Sequence, residues 1–229
     1  ARINTTGSVG LPATQVITTY NDYAFIEDNR VNIAQSGKQF VGDEFGGITD
    51  KSYNFNLPNL ISTQSVKLNI AVVGKATTFG SNFTVSTDNG ANVNSLFIPN
   101  VSESAGIQDM GTRVETQFSL SNVSPGFNIN LSFDRNGDFN TKGWLDYLQI
   151  NAISTLRYNG QPFYFRNMTS VGAGKVSRFE IQNMNSNVEI WDVTNPFNVQ
   201  KINYDLSGST ASFTAATDSL KEFAVFETS

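Results

Sequence analysis

The sequence predicts an all-β protein, and three observations predict it. Apolar and polar residues alternate along most of the chain, while no stretch repeats apolar residues at helical spacing over more than two turns. Clusters of Gly, Pro, Asn and Asp punctuate the alternating runs at short intervals. Hydrophobic residues make up 39% and include 18 Phe, whereas charged residues are only 15% and the polar remainder is rich in Asn, Ser and Thr. That balance fills a core from one face of each strand and leaves turns and wet faces to small polar side chains.

Taken in order, strands are expected at Gln15 to Phe25, Lys51 to Asn56, Val66 to Val73, Asn82 to Ser86, Val93 to Ile98, Arg113 to Leu120, Asn128 to Asp134 and Trp144 to Asn151. The run from Val66 to Val72 is diagnostic: Val66, Leu68, Ile70 and Val72 share one face, with Lys67 and Asn69 on the other. Eight strands with uneven loops fit a jelly-roll-like β-sandwich over residues 1–153 better than an up-and-down barrel. After Ile153 the runs shorten: Arg157 to Tyr158, Phe163 to Arg166, Ser177 to Asn183, Val188 to Val193, Lys201 to Leu206, Ala211 to Thr214 and Glu222 to Phe226. These predict a second, smaller β-sandwich module over 154–229. The Asp205 to Thr210 stretch reads as the turn of a hairpin.

Composition excludes several functions. The 15 Lys and Arg are scattered singly in a chain of net charge −5, so no basic stripe exists to neutralise nucleic-acid phosphates. No apolar run reaches the roughly 18–20 residues of a membrane-spanning helix. Ala1 does not read as the start of a signal peptide, and the chain is expected to be a processed or excised piece. With no Cys, its core must hold without disulfides. With no His either, Ser-His-Asp and Cys-His catalysis and imidazole or thiolate zinc sites are impossible, and no cofactor is expected. Only carboxylate chemistry survives, and a glycosidase needs two facing carboxyls that spacing alone does not supply. The sequons at Asn4, Asn82, Asn100, Asn122, Asn130 and Asn167 are read as chance triplets in an Asn- and Thr-rich chain.

Two constellations bear weighing. Asp134, Asn136, Asp138 and Asn140 place oxygen side chains at the spacing that opens a calcium loop. The glycine falls at 137 instead of 139, where Phe stands, and Leu145 occupies the place of the bidentate Glu, so the run reads as a polar turn. Tyr20, Tyr23, Trp144 and Trp191 could stack on sugars, but large aromatics more often pack in cores. Trp191 is therefore expected to be buried against Phe179 and Phe223, on an edge strand that stops at the Pro196 turn.

Three segments carry a resemblance. Tyr23 to Asn32 followed by Ser36 to Phe45 is similar to a stretch of the gingipain-family sortases of the type IX secretion system, with Lys38 and Phe40 at its basic and aromatic positions. Gly143 to Asn151, with Leu156 to Phe165 after it, resembles that family's Leu-Asp-Tyr-Ile strand and the apolar stretch beyond. Ile190-Trp-Asp-Val-Thr-Asn-Pro-Phe-Asn-Val199 is similar to its Val-Trp-Asp-Val-Thr-Asp-Pro-x-Asn-Val, and Leu220 to Phe226 to the strand before its peptidase domain. The resemblance implies a non-catalytic amino-terminal β region, since the family's cysteine and histidine lie downstream, and no catalytic residue carries over. It further implies a scaffold and docking role on the bacterial surface, at the outer membrane. The implied partners are the carboxy-terminal signal domains of cargo and the attachment-complex proteins. The alternative is a carbohydrate-binding jelly-roll module of a surface or secreted protein, with a carboxylate glycosidase behind it.

Overall fold

The computed structural model describes residues 3–33, 37, 39–88, 90, 92–101, 103–104, 107–108 and 111–228. Ser36 and Lys38 of the first resembling segment lie outside them. The first strands are β1 (Asn4–Thr6), β2 (Gln15–Ile17), β3 (Thr19–Glu27), β4 (Glu44–Phe45), β5 (Asp50–Asn56), β6 (Val66–Lys75) and β7 (Ser81–Thr87). There follow β8 (Asn94–Ile98), β9 (Glu103–Ser104), β10 (Ile107–Gln108), β11 (Thr112–Leu120), β12 (Gly126–Asp134) and β13 (Lys142–Thr155). The last are β14 (Phe163–Arg166), β15 (Val176–Ile181), β16 (Val188–Asp192), β17 (Gln200–Ile202), β18 (Asp205–Ser207), β19 (Thr210–Ala216) and β20 (Glu222–Glu227). One 3-10 turn, Met168–Ser170, is the only helical element among the described residues, so the all-β expectation holds. No helix among them is long and apolar enough to cross a membrane.

The chain forms two compact units. One comprises Tyr23–Leu57 and Ser62–Ala152, the other Ala1–Asp22, Pro58–Ile61 and Ile153–Ser229. The contiguous division at 153/154 is thus corrected: the first 22 residues belong with the carboxy-terminal unit. The reason is strand pairing, since β1 runs parallel to β17 with Asn4 opposite Gln200, and β2 runs parallel to β15 with Gln15 opposite Ser177.

The unit built around residues 23–152 has two sheets, of order β11-β6-β13-β3 and β5-β12-β7-β8, with β4 added on β13. In chain order β3, β5, β6, β7, β8, β11, β12 and β13 occupy the first sheet, the second, first, second, second, first, second and first. That is the double Greek key of a jelly roll, as the alternation led us to expect. Leu68, Ile70 and Val72 of β6 and Phe83, Val85, Ile129, Leu131 and Phe133 of the other sheet are buried. Phe45 meets Phe83 edge-on at 4.9 Å, and Phe83 lies 4.7 Å from Phe133. Gly143 is required under these rings: a Cβ there would stand 2.8 Å from both Phe83 and Phe133.

The other unit sandwiches the sheet β1-β17-β16-β20-β14 against β18-β19-β15-β2. Its core is Phe165, Phe179, Phe213 and Phe223 with Ile17, Tyr20, Ile181, Ile190 and Val225. Three expectations are corrected here. Arg157 to Tyr158 is no strand but a single bridge from Arg157 to Gln182. Lys201 to Leu206 divides into β17 and β18, which lie in different sheets; only β18 forms the hairpin with β19, turning at Gly208 with φ +59°. The strand bearing Trp191 is no edge: β16 lies between β17 and β20.

Candidate binding surface

The sheet β11-β6-β13-β3 buries one face, and the chemistry collects on the other. Pairing places Glu115, Ala71 and Tyr147 in one row across β11, β6 and β13, Gln117, Asn69 and Gln149 in the next, and Ser119, Lys67 and Asn151 beyond. On the neighbouring edge strand β3, Tyr23 and Phe25 alternate outward and are 58% and 52% exposed.

A β-bulge sets this arrangement. The β13 register shifts between Leu145 and Tyr147, leaving Asp146 as the extra residue. Leu145 and Leu148 can then both face the core while Trp144 and Tyr147 both face away. Asp146 itself is nearly buried and accepts from Arg113 Nε at 2.7 Å. Arg113 Nη1 also donates to Glu115 at 2.7 Å, and the Tyr147 hydroxyl donates to the other Glu115 oxygen at 2.9 Å. The hydrogen bond from Arg113, then that from Tyr147, holds the Glu115 carboxyl below its ordinary range. Partial burial and that same bond to Glu115 raise the Tyr147 phenol, which keeps its proton at neutral pH.

The next row is an amide ladder. Gln117 Nε2 donates to Asn69 Oδ1 at 2.7 Å, and Asn69 Nδ2 donates to Gln149 Oε1 at 3.3 Å. Lys67 Nζ donates to Ser119 Oγ at 2.6 Å in the row beyond. Phe25 and Tyr147 bring their rings to 6.1 Å between centroids, so aromatic surface runs beside the ladder. This is a flat platform of rings, fixed amides and a closed ion-pair net. It offers stacking and hydrogen bonding.

The outer face of β5-β12-β7-β8 offers a different concavity, a hollow of about 380 Å³ lined by Asp50, Ser52, Thr84, Ser86, Asn130 and Ser132 among others. No ring lines it.

The residues singled out from sequence are scattered. Tyr20 is buried in the core of the other unit, as a packing residue. Tyr23 is not core. Trp144 is 5% exposed although it points away from the jelly-roll core, because Val31, Ile33 and Val41 cover it. That cover is strapped down around Asp43, which accepts from Tyr53 at 2.9 Å and from Arg30 at 2.8 Å. Burial alone would raise the Asp43 carboxyl, but the bonds from Tyr53 and Lys51 and the charges of Lys51 and Arg30 hold it lowered. Trp191 is half-buried on the face opposite Ile190, so Phe179 and Phe223 are not its neighbours; its ring meets Phe226 edge-on at 5.0 Å and its Nε1 donates to Glu189 at 2.8 Å. The expected burial of Trp191 in the core is thus corrected: alternation sets it opposite Ile190, and Ile190 is the residue that faces the core.

In the 134–140 turn, the Asp134 carboxylate accepts from the Asn136 amide at 2.8 Å and the Asp138 carboxylate from the Asn140 amide at 2.9 Å. Asn136 and Gly137 take positive φ. The two carboxylates that would face a cation thus brace their own backbone. No group of three or more His, Cys, Asp or Glu among the described residues could hold a metal ion. Sequence reasoning missed Phe25, Tyr147 and the ladder. The signal was present in the wet positions of the alternating runs, but it needed the register and the bulge to assemble it.

No family model matches the chain, and no curated protein does. Among solved structures, the crystal structure of dimeric latent PorU from Porphyromonas gingivalis superposes on 98% of this chain with a TM-score of 0.80 at 15% identity. The chain spans 22% of that protein. Weaker likenesses link it to the CBM36-1 domain of a xylanase from the hindgut metagenome of Trinervitermes trinervoides (TM-score 0.36, 10% identity, 56% of this chain and 96% of that one). Another is to TmCBM61 in complex with beta-1,4-galactotriose (TM-score 0.33, 12% identity, 57% of this chain and 85% of that one). Over 98% of its length, the fold of this chain is therefore PorU-like.

Proposed function

We propose that this chain is the non-catalytic scaffold and docking region of a type IX secretion sortase of the gingipain family, working outside the cytoplasm at the bacterial surface. The observation that carries this reading is the likeness to PorU over 98% of the chain. It agrees with the sequence resemblance of Ile190 to Val199 and Gly143 to Asn151. A chain with neither Cys nor His has no thiol or imidazole with which to cut a peptide, so cutting falls to another part of the parent protein. The role left to two β-sandwiches is to hold and present: cargo signal domains and attachment-complex proteins are the partners, met through exposed strands and faces.

Mixing the purified chain with a cargo carboxy-terminal signal domain, and separately with attachment-complex proteins, tests the reading by titration calorimetry. Saturable one-to-one binding to either is expected, with no hydrolysis. Failure to bind both, together with full cargo processing by a parent protein lacking these 229 residues, would overturn it.

A further inference from the structure

Beyond the scaffold role, and independent of it, we infer that the open face of the β11-β6-β13-β3 sheet binds an uncharged, β-linked polysaccharide chain. Tyr23 and Phe25 stand side by side along an edge strand and hold more than half their surface in water. Ring faces of this kind stack on the C–H faces of pyranoses. Phe25 continues into Tyr147 at 6.1 Å, which lengthens the apolar strip.

The amide ladder supplies the polar half. Gln117, Asn69 and Gln149 restrain one another, so their rotamers are set before a ligand arrives and little freedom is lost on binding. The ladder consumes one N–H of Gln117, one of Asn69 and one oxygen of Gln149. The remaining amide hydrogens and the Gln117 carbonyl have no protein partner among the described residues. Carboxamides both donate and accept, as sugar hydroxyls do. Adjacent strands lie about 4.7–4.9 Å apart, so ladder and ring strip present a contact at each strand, comparable to the advance of an extended β-linked chain.

Charge decides which polysaccharide. Arg113 is engaged by both Asp146 and Glu115, and Lys67, in the row next to the ladder, is held by Ser119. Among the described residues within the strip from Tyr23 to Gln117, the one cation, Arg113, is already paired with two carboxylates, and Glu115 would repel a phosphate, sulfate or uronate, so only Lys67 beyond the ladder could draw one. The row of contacts spread over several strands suits a chain more than a small ligand, which would need a cleft. The hollow on the other sheet has hydroxyls but no ring, and lacks the stacking half of the site.

The test is affinity electrophoresis and titration calorimetry of the whole chain. The probes are soluble mixed-linkage β-glucan, xylan and β-1,4-galactan, with alginate as the anionic arm and purified lipopolysaccharide as a further arm. Retardation by at least one uncharged β-glycan, without retardation by alginate, is expected. Tyr23→Ala, Phe25→Ala and Gln149→Ala should each weaken it about tenfold, the loss expected for one stacked ring or one fixed amide. Phe97→Ala, on an exposed ring of the other sheet, should leave it unchanged. Melting temperatures of the Tyr23 and Phe25 variants should match the parent, which separates lost binding from lost folding. No binding to any uncharged glycan, binding to alginate or lipopolysaccharide alone, or binding indifferent to all three substitutions would each overturn the inference.

Discussion

Phe179→Ala and Trp191→Ala form a matched pair that separates core from surface within one unit. Phe179 is 1% exposed, stacks on Phe213 at 5.2 Å, meets Phe223 edge-on at 5.1 Å and lies 5.9 Å from Phe165. Removing a ring held on three sides leaves a cavity that β-sheet walls cannot collapse, and truncations of this kind cost about 3–5 kcal/mol. Trp191 gives up one edge contact with Phe226 and one hydrogen bond to Glu189 on a half-buried face. Each is worth about 0.5–1.5 kcal/mol, so a loss of roughly 1–3 kcal/mol follows. In a domain of about 100 residues each kcal/mol moves Tm by about 4–8 °C, so the two variants should be well separated. Urea unfolding followed by tryptophan emission suits the assay, because Trp144 reports on one unit and Trp191 on the other; circular dichroism replaces the lost signal in Trp191→Ala. Equal destabilisation by the two substitutions, or a milder effect at Phe179, would refute the assignment of inner and outer faces on β16.

Three more predictions follow from the same contacts. Glu115 and Asp43 have folded pKa values below their unfolded ones, so their stabilisation is present above the unfolded carboxylate range near 4 and is lost as pH falls through the lowered values; urea midpoints should be level from about pH 7 to 5 and fall below about 4, and Asp43→Asn should flatten that acid limb. Calcium should leave the melting temperature within a degree or two, while Asp134→Ala should cost about 0.5–1.5 kcal/mol by releasing the Asn136 amide; a calcium-dependent rise abolished by Asp134→Ala would contradict the turn reading. Asp146→Ala should fold with a loss of about 1–3 kcal/mol, read by the same urea titration, and a chain with Asp146 deleted should also fold, because Trp144, Leu145, Tyr147 and Leu148 then oppose Val73, Val72, Ala71 and Ile70 in unbroken alternation.

Strands of the jelly roll were legible because each announces its inner face by alternation. Val66 to Val73 and Asn128 to Asp134 need no partner to be read, and their observed bounds differ by two residues or fewer at each end. Short strands carry no such period. β1 and β2 pair in parallel with partners more than 150 residues away, and nothing in Asn4–Thr6 or Gln15–Ile17 names them. Alternation also fixes that Trp191 opposes Ile190 without fixing which side is wet. The larger ring is not the one that enters the core: Ile190 fills the space beside Val225 and Ile202. The candidate surface was legible in parts: Tyr23 as an aromatic, Asn69 as a wet position. Gln117, Asn69 and Gln149 become one row only when β11, β6 and β13 are laid in register.

Asp146 is where the fold and the surface depend on the same residue. Strict alternation along β13 would put Trp144 on the side of Leu148 and Ile150, forcing the indole into a core already filled by Phe83 and Phe133, and would turn Leu145 out. Setting Asp146 out of the ladder as a bulge releases both constraints. Leu145, Leu148 and Ile150 all reach the core, Trp144 finds its cover in Val31, Ile33 and Val41, and Tyr147 and Gln149 come out beside Phe25 and Asn69. The inserted carboxylate, lying where the ladder is broken, draws Arg113 across the sheet, and Arg113 in turn fixes Glu115 for the Tyr147 hydroxyl. A bulge costs local pairing, and bulges are retained where they re-aim side chains. Here the re-aimed side chains are the rings and amides of the open face, which is the physical reason for looking there for binding and not in the 134–140 turn, where the Asp134 and Asp138 carboxylates already accept from their own backbone.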